Sequence, residues 1–337
     1  MTTPSGPRPS VARSAALVRS DVFQRFLAFG ALILLIIFFS FANEHFLNFE
    51  NFVNILIATA VVGVIALGET FVIVTGGIDL SVGTVMTLSS VMTAVTITNM
   101  GLPVPVGVLA GVLTGGVMGL LNGVLIARLK LPPFIATLGV LNIARGLALV
   151  ITQTRPIYFS NNPEFNTGVM GNLFGIKISG DFGIPNIAII MFVAVIVAAY
   201  ILNRTALGRY TFALGSNEEA VRLSGVNVQV WKMAVYTVCG LFAGLAGVLI
   251  AARVNSAQPA LGFGYELDAI SAVVIGGTSL AGGEGTILGT IIGAFIVRTL
   301  TNGLQIMSVP QEWQIVVTGV VVILAVYLDI IRRRQQQ

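Results

Sequence analysis

The feature that most constrains this 337-residue chain is the length and number of its uncharged runs. A hydrocarbon core of about 30 Å is crossed by about 20 apolar residues rising about 1.5 Å each. Residues 26–43, 51–68, 182–203 and 233–252 each supply one such run. Residues 80–127 carry no charge and are too long for a single helix. Asn99-Met-Gly-Leu-Pro-Val-Pro105 divides them into two, because Gly and Pro punctuate helices. Residues 133–153 give a span containing one Arg, and spans near 267–282, 285–304 and 313–330 complete the series. The expectation is an all-α polytopic membrane protein with about ten transmembrane helices. Only 9% of residues are charged, against about 25% in a soluble domain, so the chain lacks the polar surface that water requires.

An even number of spans puts both termini on one side, and the basic residues say which. Arg8, Arg13, Arg19 and Arg25 precede the first span, and Arg332, Arg333 and Arg334 follow the last. Arg128, Lys130, Arg204, Arg209, Arg222 and Lys232 fall on that same side, whereas only Arg155 and Lys177 fall on the other. The positive-inside rule therefore places both termini in the cytoplasm. Arg145, Arg253 and Arg298 lie within or at the edge of spans, and Arg145 reads as half of an internal structural pair in preference to a substrate contact. Residues 1–20, rich in Pro, Ser and Arg, read as a disordered cytoplasmic tail, and residues 332–337 as a second one. The apolar run from 26 is too long for a signal-peptide core and is kept as a span. Residues 21–331 form one transmembrane domain, with an outer loop at 154–185 and a cytoplasmic segment at 204–231.

Several chemistries are excluded. A single Cys (Cys239) and a single His (His45) allow neither an intrachain disulfide nor a zinc cluster. The lysines are Lys130, Lys177 and Lys232, none preceded by Gly, so no Walker A loop exists to cradle ATP. No nucleophile–base pair is visible, and the basic residues follow membrane sidedness and not a nucleic-acid footprint.

Three irregular stretches remain. The outer loop 154–185 balances Arg155 and Lys177 against Glu164 and Asp181, and reads as a connector or as a docking rim. The cytoplasmic segment holds Gly215-Ser-Asn-Glu-Glu-Ala-Val-Arg-Leu-Ser-Gly225, in which Ser216 and Glu219 form a capping box and Gly225 suits a C′ position. A helix of two turns over 217–224 follows. So short a helix is not self-supporting in water, and either lipid headgroups or a protein groove must hold it. Within the membrane, 51–78 would run about 42 Å as one helix, too long for the core. The pair in Thr75-Gly-Gly-Ile-Asp-Leu-Ser-Val-Gly83 breaks it. Asp79 or Ser81 can cap the restarting helix, or Glu69 and Asp79 can lie along a polar path. Val274-Ile-Gly-Gly-Thr-Ser-Leu-Ala-Gly-Gly283 matches this string at Gly76, Gly77, Leu80 and Gly83 after a shift of 200, a weak internal repeat of the kind transporter folds use. Gly115-Gly-Val-Met-Gly119 and Gly240-Leu-Phe-Ala-Gly-Leu-Ala-Gly247 read as helix-packing faces.

These strings, together with Ser256-Ala-Gln-Pro259 and Gly264-Tyr-Glu-Leu-Asp-Ala-Ile270, resemble the permease of ribose-type sugar ABC importers over about residues 26–330. The resemblance implies a bacterial inner-membrane permease with no cofactor of its own. It also implies a second permease, identical or not, an ATPase subunit carrying ATP and Mg, and a periplasmic sugar-binding protein. The family's coupling helix maps onto Asn217, Glu218, Glu219, Ala220, Val221, Arg222, Leu223, Ser224 and Gly225. A neutral sugar needs hydrogen-bonding side chains along its route, and Glu69, Thr70, Asp79, Ser81, Asn122, Asn142, Gln153, Ser271 and Asn302 are the candidates. The alternatives are a branched-chain amino acid ABC permease and an ion-coupled secondary transporter using Glu69 and Asp79.

Overall fold

The computed structural model describes residues 28–172 and 183–334. The tail at 1–20, residues 173–182 of the outer loop and residues 335–337 lie outside them. In chain order the helices are α1 (Ala28–Ala42), α2 (Phe49–Val74), α3 (Val82–Ala94), α4 (Val104–Ala127), α5 (Pro133–Thr152), α6 (Pro163–Met170) and α7 (Asn186–Arg204). They continue as α8 (Ala206–Leu223), α9 (Val228–Val254), α10 (Tyr265–Ile275), α11 (Ile287–Ile306) and α12 (Gln311–Arg334). The final turn of α12 takes in Arg332–Arg334, so the tail expected from 332 begins inside a helix.

Among the described residues, seven helices are long and apolar enough to cross a membrane: α2, α3 with its continuation to Asn99, α4, α5, α7, α9 and α11. Two shorter apolar stretches flank them, Ala28–Ala42 (α1) and Gln311–Leu324 within α12. The eighth expected span, near 267–282, is a half-helix. With 11 residues, α10 rises only about 16 Å and cannot cross the core alone.

Burial ranks the helices. Nearly all of α2 is buried, from Val53 to Val74, whereas α4, α5 and α7 turn apolar side chains such as Leu109, Leu113, Phe134, Phe192 and Ile196 outward. The centre is α2 with α9, and the outward faces suit lipid. Helix α4 lies directly on α9 because Gly115 and Gly119 meet the backbone of Gly240 and Gly244, where an added methyl would collide with peptide atoms. That is the small-residue packing the sequence pattern predicts.

The break between α3 and α4 also falls where expected. A π-helical turn, Val95–Asn99, winds down α3, Gly101 adopts φ +65°, and Pro103 precedes α4. One ladder was not foreseen: Ile157–Tyr158 (β1) pairs antiparallel with Ser256–Ala257 (β2), joining the loops after α5 and α9.

Candidate functional site

Both repeat strings form the same device. At the first break Gly77 donates its backbone N–H to Val72 O (3.1 Å) and Gly76 donates to Ile73 O (2.8 Å), with Gly76 at φ +77°. At the second, Thr278 donates to Val273 O (3.1 Å) and Gly277 to Val274 O (2.9 Å), with Gly277 at φ +91°. These are Schellman closures, which need a left-handed residue that glycine supplies without steric penalty. Two or three residues later the side chain at 79 or 279 takes over. The Asp79 carboxylate accepts from the Ser81 backbone N–H (2.8 Å), and the Ser279 hydroxyl accepts from that of Ala281 (3.1 Å). The two closures align at a shift of 201 and the side-chain turns at a shift of 200, so the sequence match is one residue out of step at the glycines: Gly276, opposite Gly76, is right-handed at φ −68°. Asp79 organises the restart of the chain, as a cap would.

The freed backbone groups are satisfied within the protein, as they must be in a bilayer. Glu69, fully buried, accepts from the Asp79 backbone N–H at 3.1 Å. Asp79 also accepts from the Ser81 hydroxyl (2.6 Å) and the Asn122 amide (3.1 Å), and that amide reaches the Ser81 hydroxyl at 2.9 Å. Cys239 lies 3.8 Å from Glu69, and Tyr236 packs against Gly77. Glu69, Asp79, Ser81 and Asn122 therefore meet in one closed cluster joining α2, α3, α4 and α9.

The other pathway candidates are dispersed. The Thr70 and Thr290 hydroxyls stand 2.7 Å apart between α2 and α11, and Asn302 donates to Asn51 at 2.8 Å. Ser271 donates to Leu267 O within its own helix. Asn142 is exposed and donates to Leu138 O (3.0 Å); Gln153 is the exposed left-handed cap of α5. Arg145 corrects the expectation of an internal pair. It is exposed and makes no ion pair or hydrogen bond among the described residues. An ion pair inside the bundle, Arg298 with Asp268, joins α11 to α10, and the guanidinium also lies 5.5 Å from the Tyr265 ring centre. Spacing across 30 residues gave no signal for it.

The segment 204–231 departs from expectation in one respect. Its helix starts at Ala206, capped by Thr205, and is interrupted at Asn217, whose φ of −163° and ψ of 95° are not helical. Asn217, not Ser216, caps the second piece, accepting from the Ala220 backbone N–H at 2.9 Å. Ser216 still lies in the first piece and donates to Phe212 O (2.9 Å), so the capping box does not form. Gly225 takes the expected left-handed conformation, φ +84°. Glu219 pairs with Arg222 and Glu218 with Lys232, each at 2.6 Å. Val221 is buried, while Leu223 is 78% exposed.

What precedes this small helix is decisive for its setting. Gly215 lies against the Val74 carbonyl and the Gly283 backbone N–H, and Gly282 packs on Gly76 and Gly215. The Gly283 N–H itself donates to Val74 O. Both breaks and the base of the exposed helix thus meet backbone to backbone.

The family described as "Branched-chain amino acid transport system / permease component" matches residues 51–326. The chain belongs to this family. Among curated relatives, the permease is 44% identical to the ribose import permease protein RbsC of Escherichia coli (strain K12), covering 89% of this chain and 91% of the relative. It is 44% identical to the ribose import permease protein RbsC of Bacillus subtilis (strain 168), covering 91% and 93%. Against the D-allose transport system permease protein AlsC of Escherichia coli (strain K12) the identity is 38%, covering 88% of both chains. No solved structure matches the permease. Among the described residues no three His, Cys, Asp or Glu side chains converge as a metal site would require.

Proposed function

We propose that this permease moves a monosaccharide of the ribose type across the bacterial inner membrane as the transmembrane subunit of an ATP-driven importer. The observation that carries the reading is the exposed helix 218–223, seated by Gly215 on the backbone of both membrane breaks. The relatives' roles in ribose and D-allose transport favour a sugar over a branched-chain amino acid.

Work is done on this chain from outside. An ATPase subunit, which carries the ATP and Mg, grips Asn217–Gly225, with Ala220 and the exposed Leu223 offering apolar contact and Glu218 and Glu219 offering charge. Closure of the ATPase displaces that helix. Gly215 transmits the displacement to Val74 and Gly283, and the two broken helices rock together. Alternating access requires such a two-state element. A second permease encloses the cavity from the other side, and a periplasmic binding protein delivers the sugar. Both termini lie in the cytoplasm, in keeping with the basic residues beside α8.

The test is uptake of labelled ribose and of labelled leucine by the complete importer in vesicles. ATP-dependent ribose uptake is expected. Leucine uptake, or gradient-driven uptake by this chain alone, would overturn the reading.

A further inference from the structure

Arg145 is the thirteenth residue of the twenty in α5. At about 1.5 Å per residue it stands about 18 Å from one end of the helix and about 10 Å from the other, within the bilayer core. The helix has three faces. Ala136, Val140, Ala144 and Ala148 are buried against the rest of the bundle. Ile143, Leu147 and Val150 are exposed and apolar, a face for lipid. Beside it, Gly139, Asn142, Arg145 and Gly146 form an exposed strip of small and polar residues, with open space over both glycines. An unpaired guanidinium does not face hydrocarbon at this depth without large cost; such residues line protein-enclosed water.

Arg145 lines a cleft with Thr84 and Thr87, in the first two turns of α3, and with Pro259, Gly262 and Phe263 of the loop entering α10. Those turns lie next to the break that contacts α8, so the guanidinium is directed into the bundle.

We propose that Arg145 lines the water-filled conduit and donates hydrogen bonds to the hydroxyl oxygens of the passing sugar. A guanidinium has five donors and no acceptor, which matches a neutral polyol. Its fixed positive charge also repels alkali cations, so a conduit wide enough for a sugar does not leak them. This rests on the sugar-permease reading above.

The test uses the complete importer in vesicles, with labelled ribose. Arg145→Gln is expected to lower uptake by about tenfold or more while ribose-stimulated ATP hydrolysis stays within about twofold, a loss confined to the transport step. Arg145→Lys, keeping charge and donors, recovers part of the uptake. Unchanged uptake in Arg145→Gln, or parallel loss of uptake and hydrolysis in both variants, overturns the proposal. A second arm needs no sugar. In a Cys239→Ser background, Arg145→Cys is expected to react with a membrane-impermeant thiol reagent and Ile143→Cys to stay protected; equal protection overturns the conduit placement. Absence of ribose uptake by the unaltered importer would instead sink the sugar reading, leaving the labelling result to decide where Arg145 lies.

Discussion

Gly283 donates its backbone N–H to the carbonyl of Val74 at 2.8 Å, although 209 positions separate them. The bond ties the loop of one broken helix to the last turn of the other, so neither break moves alone. Gly215 rests on this joint from the cytoplasmic segment. A lever and two hinges thus share one contact made of peptide groups, where no side chain yields.

Gly215→Ala tests that joint. The added methyl meets the Val74 carbonyl and the Gly283 N–H, both backbone atoms that cannot rotate aside. Overpacking of this kind costs about 1–3 kcal/mol. ATP-dependent uptake is expected to fall by about tenfold or more, with the protein still inserted. Full uptake in vesicles would show that the joint does not transmit motion.

Replacing Glu218 and Glu219 together by Ala separates docking from stability. Both carboxylates are more than half exposed; Glu219 pairs with the exposed Arg222, and Glu218 reaches out to Lys232, which is itself 22% exposed. Such pairs contribute about 0–1 kcal/mol each, so thermal stability in detergent should barely change. Sugar-stimulated ATP hydrolysis and uptake should both drop. If they do not, this helix is not where the ATPase holds the permease.

What the sequence made legible follows from what has period or punctuation. Uncharged runs marked nearly every span, and the Gly pairs at 76–77 and 276–277 marked both breaks, because a left-handed turn restricts residue choice. Other features escaped, the β1–β2 ladder among them. The helical piece 206–216 was missed although Leu207, Thr211 and Leu214 repeat on a buried face, since Ser216 offered a stronger local cap signal. Asn217 took that cap instead, because Ser216 is still inside the preceding turn. The Asp79–Asn122 contact and the Arg298–Asp268 pair join residues 43 and 30 positions apart, and tertiary placement of that kind has no local pattern. Arg145 suggests a pair in the sequence because a charge in a span demands compensation, and spacing alone does not distinguish an ion pair from enclosed water.

Asn122→Leu probes the cluster at the first break. Its amide serves both Asp79 and Ser81, and all three side chains are buried. Removing it leaves acceptors without a donor, at a cost of about 1–3 kcal/mol. Asp79→Asn keeps the shape and an acceptor for the Ser81 N–H, so it should cost about 1 kcal/mol, as loss of a cap does. Melting of detergent-solubilised protein, followed by monodisperse fraction, should rank Asn122→Leu below Asp79→Asn. The reverse order would make the Asp79 charge, and not the amide, what holds the break.

The last prediction concerns the half-helix α10, which spans too little of the bilayer to hold its own position. It is fixed to α11 by Asp268 and Arg298, whose side chains are 26% and 14% exposed. Deleting either partner strands the other charge in a poorly hydrated place; about 3 kcal/mol is expected, near the lower end for a buried pair because Asp268 retains some solvent. Replacing both, Asp268→Leu with Arg298→Met, removes the stranded charge along with the bond, and stability should return most of the way. A double-mutant cycle on thermal melting measures the difference, with a coupling energy of about 1–3 kcal/mol expected for residues in direct contact. Additive single effects would mean that packing alone, such as Ala272 against Gly293, seats α10, and that the charges serve the cavity and not the fold.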